Sequence, residues 1–114
     1  MNADGPPIDQ ALLGELREQL GDEVMRSIIE QFLDGNRDVI DILFDRAKTG
    51  TDRSDAAHSL KGSCASIGLA GAAALCRALE LDFRDQRLEQ ADLILATLRP
   101  SIDQGLQVIL RQLG

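Results

Sequence analysis

The chain has 114 residues, 44% hydrophobic and 27% charged, which suits one soluble domain with a single core and is too short for two. Its only aromatic residues are Phe32, Phe44 and Phe83, so the core must be built from Leu, Ile, Val and Ala, which favours packed helices over a β-sandwich. A formal net charge of -7 argues against nucleic acid, whose phosphates are held by clustered Lys and Arg, and points to a protein partner or to solubility.

Residues 1–7 contain Gly5, Pro6 and Pro7 without apolar periodicity and read as a flexible tail or linker remnant, with one folded domain over 8–114. The first helix is expected from Ile8 to Leu20, where Ile8, Leu12, Leu13, Leu16 and Leu20 recur at helical spacing, Asp9 can cap the start and Gly21 follows. From Asp22 to Lys48 the apolar positions Met25, Ile28, Phe32, Val39, Leu43 and Ala47 form one stripe; because Phe32 and Val39 keep phase across Gly35 and Asn36, one long helix is expected, bent there. A third helix, capped by Thr51 or Asp52, is expected to run to about Ile67 and to turn at Gly68 into an Ala-rich fourth from Leu69 to Arg84. The last, Leu88–Leu113, keeps its apolar phase through Pro100, which predicts a kinked helix rather than a break. Long helices with short connections make antiparallel neighbours. The predicted fold class is therefore all-α, an antiparallel up-and-down four-helix bundle with the short first helix packed across one end.

Cys64 and Cys76 sit at helical positions among small and apolar residues, with neither a C-x-x-C pair nor a second histidine, so buried reduced thiols are expected and a metal site is not. No apolar run approaches the about 20 residues of a membrane span. The start, MNADGPP, lacks the basic and apolar regions of a signal peptide. The expectation is a cytoplasmic monomer without direct membrane contact.

The stretch AHSLKG, residues 57 to 62, holds the chain's one histidine. On a wheel of about 100° per residue centred on Leu60, the residues Ala56, Ala57, Leu60, Cys64 and Ile67 lie within about 60° and form the core face. His58 falls about 160° away, with Gly62 one turn on, Ala65 two turns on, Lys61 at the flank and Ser54 and Asp55 one turn before. A glycine in mid-helix costs about 0.5–1 kcal/mol relative to alanine. At an exposed position it gains no packing in return, so close approach of a partner or a phosphate group accounts for it.

An exposed neutral imidazole is nucleophilic at one ring nitrogen while the other carries the proton, and it can accept a phosphoryl group. Lys61 at i+3 can set a positive charge beside the phosphate oxygens. Hydrolytic chemistry fits poorly. A serine triad needs a buried carboxylate and an oxyanion site, and Ser59 points about 100° around the helix from His58. Metal catalysis lacks ligands. Any phosphoryl group must therefore be activated by another molecule.

The run AHSLKG followed by SCASIG, ending at Gly68, resembles the H-x-L-K-G-(x)5-G motif of histidine-containing phosphotransfer (HPt) domains, and CRALE at 76 to 80 is similar to the family's segment after the active helix. The resemblance covers nearly the whole chain from Ile8. It implies that His58 is the phosphoacceptor through Nε2, that Lys61 supports the phosphate, that Gly62 leaves room for it and that Gly68 turns the chain into the hairpin. It further implies no cofactor on this chain: response-regulator receiver domains supply the aspartyl phosphate, the Mg2+ and most of the positioning, and phosphate shuttles between two receivers in a phosphorelay. Docking would use the face around His58, Gly62 and Ala65, with Ser54, Asp55, Lys61 and Ser66 around it, in a contact below about 1,200 Å². The Pro-containing start favours a module from the C-terminus of a hybrid sensor kinase over a free-standing protein.

Two other classes stay open. A signalling kinase's dimerisation domain also presents histidine on a helix, but its motif continues with an acidic residue and then Arg-Thr-Pro, where this chain has Ser59, Leu60, Lys61 and Gly62. A helical interaction module would dock a signalling partner on the same face without His58 being phosphorylated.

Overall fold

In the computed structural model, which describes residues 7–114, all regular structure is helical: α1 (Gln10–Leu20), α2 (Asp22–Gly35), α3 (Arg37–Phe44), α4 (Gly50–Ser66), α5 (Ala70–Arg84) and α6 (Leu88–Gln112). Of the expected tail, residues 1–6 lie outside the described part. Pro7 is held, its carbonyl accepting the Gly71 N–H at 3.0 Å, while Asp9 N–H donates to the Gly68 carbonyl at 3.0 Å. The segment before α1 is thus stitched to the turn between α4 and α5. Asp9 caps α1 as expected, its carboxylate accepting from Leu12 N–H at 3.0 Å.

The long second helix of the sequence reading is two helices. Asn36, at φ -106° and ψ 6°, leaves helical geometry and buries its side chain, whose amide donates to the Phe32 carbonyl at 2.8 Å. That carbonyl is an acceptor a continuous helix would have used for the Asn36 N–H alone, and such local bonding is how asparagine competes with helix continuation. The core stripe runs through Met25, Ile29 and Phe32 to Leu43, with Ile28 only half-buried. The helix also stops earlier than expected, at Phe44 rather than Lys48. Asp45 accepts the Ala47 N–H at 2.9 Å in a turn, and Ala47 is exposed.

The cap of helix α4 lies two or three residues before the expected one. Thr49, not Thr51 or Asp52, caps the helix, accepting the Asp52 N–H at 3.0 Å. Gly50 then lies so close to α5 that an added Cβ would stand 2.9 Å from the Phe83 carbonyl oxygen. Arg53, a buried charge, donates through Nε and Nη2 to the Leu43 carbonyl at 3.1 and 2.7 Å and stacks 4.2 Å from the centre of the Phe83 ring. It satisfies a carbonyl in the last turn of α3 that has no helical partner.

The expected core face of α4, Ala56, Ala57, Leu60, Cys64 and Ile67, is buried throughout. Gly68 turns the chain with φ +88°, a region that side chains other than glycine rarely enter, and Leu13 of α1 packs over it. Helices α4 and α5 consequently fold back antiparallel, with Ser54 and Gly50 against the far end of α5. Cys64 and Cys76 are both fully buried free thiols; the pairing of the Cys64 S–H with the neighbouring Cys76 sulfur and the apolar surroundings push the Cys64 thiol far above its ordinary value. Helix α6 runs without interruption through Pro100, burying Ala91, Leu95, Leu98, Ile102, Leu106 and Ile109 along one side. No described helix is long and apolar enough to cross a membrane.

Candidate functional site

Helix α4 lies with its apolar stripe against the rest of the molecule, so the opposite side is left outward. His58 projects there with 66% of its side chain exposed, and Asp55, Gly62, Ala65 and Ser66 are exposed on the same helix. A Cβ on Gly62 would meet nothing within 4 Å, so no neighbouring helix requires this glycine. Ser66 turns its hydroxyl back to the Ser63 carbonyl at 2.8 Å.

Ser54 is a correction. The wheel set it at the rim of the exposed face, but it is buried, and its hydroxyl donates to the Glu80 carbonyl at 3.0 Å. Ser54 and Lys61 lie on one flank of α4, about 100–120° from Leu60. That is the flank α5 covers. A wheel measures direction from the core but not where the next helix leans.

The same packing assembles a group that no motif marked. Glu80, on α5, presents Oε2 to His58 Nδ1 at 3.0 Å and Oε1 to Lys61 Nζ at 3.0 Å. Each oxygen has one partner, and the three side chains form a chain of imidazole, carboxylate and ammonium. Glu80 was legible only as the last residue of CRALE. The one signal for it is the hairpin itself: folding at Gly68 brings the residue twelve positions after the turn close to the residue ten before it.

The electrostatics follow from this geometry. Partial burial works against ionisation of Glu80, but the hydrogen bond and charge of Lys61, and less strongly the imidazole, outweigh it and hold the carboxyl below the usual glutamate range. An ionised carboxylate only accepts hydrogen bonds, so the nitrogen facing it must be the protonated one. With the proton on Nδ1, the lone pair of the neutral ring is on Nε2. The arrangement can therefore offer one exposed nucleophilic nitrogen, with a cation beside it and open space one turn along the helix.

A family model described as Hpt domain matches residues 8–111. This chain belongs to the Hpt domain family. Hpt domains carry out histidine phosphotransfer in two-component signalling and interact with the receiver domains of response regulators. No curated protein and no solved structure was found to match the chain.

Proposed function

We propose that this Hpt domain is a phosphorelay intermediate: His58 accepts a phosphoryl group from a receiver-domain aspartate through Nε2 and passes it to a second receiver. The observation that carries this reading is the exposed imidazole with its Nδ1 occupied by Glu80, which leaves Nε2 as the free nucleophile. Lys61 supplies positive charge near the incoming phosphoryl oxygens, and Gly62 leaves the room they need. This chain contributes no further reacting group. Rate then comes from holding donor and acceptor in line on the docked partner.

The docking face comprises Asp55, Gly62, Ala65 and Ser66 around His58, without Ser54. It continues into the groove between α3 and α4, where Val39, Ile42 and Ala56 are flanked by Lys48, Asp52 and Asp55. The supporting architecture is an up-and-down four-helix bundle of α2–α3, α4, α5 and α6, with α1 across one end. Two contacts support opposed directions for α6 and the α2–α3 pair: Arg46, just past α3, meets Asp92 near the start of α6, and Asp22 at the start of α2 accepts the N–H of Gly114 beyond its end. A single folded unit from Ile8 onward, acting as a monomer in the cytoplasm, fits this role.

The test is transfer from a receiver charged with acetyl phosphate. An acid-labile, base-stable label on the protein is expected, lost on delivery to a second receiver. Absence of label from any of several receivers would refute the relay and leave an interaction module.

A further inference from the structure

Arg53, near the start of α4, is only 5% exposed, yet among the described residues no carboxylate forms an ion pair with it. A buried cation is ordinarily matched by an anion, because taking an unpaired charge out of water is costly. Burial accordingly pushes this guanidinium below its ordinary value, while Asp92 supports the charge through space, Arg46 opposes it and Asp45 again supports it. Arginine stays protonated all the same. One N–H of Nε and one of Nη2 are used, both on the Leu43 carbonyl, and one face of the group is taken by the Phe83 ring. Nη1 has no such partner. Among the described residues no buried side-chain nitrogen lacks a hydrogen bond, so the Nη1 edge must reach open space. Arg53 lines a cavity, and that cavity is where the edge emerges.

The cavity has a volume of about 230 Å³ and lies where the end of α3 meets the starts of α4 and α6. Phe44, Leu95 and Ala96 make its apolar wall, and its charged groups are Arg46, Arg53 and Asp92. Arg46 is largely exposed and pairs with Asp92 at 3.1 Å. Two guanidiniums against one carboxylate leave a single positive charge in excess, in a chain whose formal total is -7. One negative charge balances that excess, whereas a dianion such as phosphate would be repelled by Asp92. The flat edge of a guanidinium matches the plane of a carboxylate, and the apolar wall suits a hydrocarbon body. An apolar cavity of about 150 Å³ holds a benzene molecule. The larger volume here leaves room for a ring or branched chain together with its carboxylate. We propose that this cavity binds a small organic monocarboxylate, with the carboxylate on the free edge of Arg53 beside Arg46 and the apolar body against Phe44, Leu95 and Ala96. Arg53 stands about 140° around α4 from His58, so the cavity is separate from the phosphotransfer face, and its occupant would tie the end of α3 to α4 and α6.

The test titrates benzoate into the unphosphorylated, 15N-labelled protein at fixed ionic strength and follows the backbone amide signals. Saturable shifts are expected at Phe44, Arg46, Arg53, Leu95 and Ala96, with a Kd on the order of 1 mM for so small a ligand. Benzamide, which has the ring without the charge, should bind about tenfold more weakly. Arg53 itself is left in place, since its removal would strip the Leu43 carbonyl of its partner. The variants change its neighbours. Asp92→Asn should tighten benzoate by about threefold or more although it breaks the ion pair with Arg46, and Arg46→Gln should loosen it by a similar factor. Ala96→Leu, at an exposed helical position, should fill the cavity and abolish the shifts while the melting temperature is kept. No saturation by about 20 mM benzoate would overturn the proposal. Equal affinity for benzamide, tighter binding of inorganic phosphate at the same residues, or weaker benzoate binding in Asp92→Asn would each do the same.

Discussion

Replacing Gly62 by alanine should make the protein more stable and a worse phosphotransfer module. The added Cβ meets nothing within 4 Å, and the backbone there has no positive φ, so neither clash nor strain opposes the change. What remains is the helix propensity difference, about 0.5–1 kcal/mol in favour of alanine. Unfolding entropy near 2.1 cal/mol/K per residue over 114 residues amounts to about 240 cal/mol/K, so Tm should rise by about 2–4 °C. Yet the methyl would stand about 5–6 Å from the His58 Cβ on the same helix face, inside the space a docked partner and its phosphoryl group must enter. A misplacement of about 1 Å can cost 100-fold in rate, so single-turnover transfer from a charged receiver should slow by about tenfold or more. Thermal melts by circular dichroism and rapid-quench transfer assays on the same preparation read both effects. Gly50→Ala, in the same helix, supplies the contrast: its Cβ would lie 2.9 Å from the Phe83 backbone oxygen, and it should destabilise by about 1–3 kcal/mol. A fall in Tm for Gly62→Ala would refute the open-helix reading. Unchanged transfer would refute the assignment of this glycine to close approach.

His58→Gln should abolish labelling while changing stability by no more than about 0.5 kcal/mol, because the ring is largely exposed; a large loss of folded structure on melting would contradict that placement. Lys61→Ala should slow transfer or shorten the life of the phosphorylated form without abolishing either, and wild-type kinetics in a quench assay would remove Lys61 from the mechanism. Leu60→Ala, at a fully buried position on the opposite side of the same helix, should cost about 2–5 kcal/mol in urea unfolding. Glu80 should also contribute to acid sensitivity. Its folded-state carboxyl is more acidic than the ordinary value of 4.5, so its stabilisation is complete above that pH and is lost as the pH falls through the lowered value. Glu80→Gln should flatten that part of the acid-unfolding curve, and an identical curve would show that the contacts to His58 and Lys61 carry no stability.

The helices and the orientation of α4 were legible in the sequence because both are local properties. Apolar spacing decided which side of α4 faces inward, Asp9 and Gly68 marked a start and a turn, and the position of His58 opposite Leu60 followed from the helical repeat alone. The break at Asn36 was hidden because its cause, a buried side-chain amide bonded to the Phe32 carbonyl, leaves the apolar phase intact. Tertiary structure alone decided what α5 covers. It buried Ser54, enclosed the charge of Arg53 between the end of α3 and the Phe83 ring, and brought Glu80 to both His58 and Lys61. Residue spacing fixes direction around a helix's own axis, whereas the lean and depth of the neighbouring helix come from long-range packing, here through the glycine turn at Gly68 and the close approach at Gly50. The outward direction of His58 could therefore be read from one helix, but the Glu80 carboxylate beside its ring became visible only when two helices were placed together.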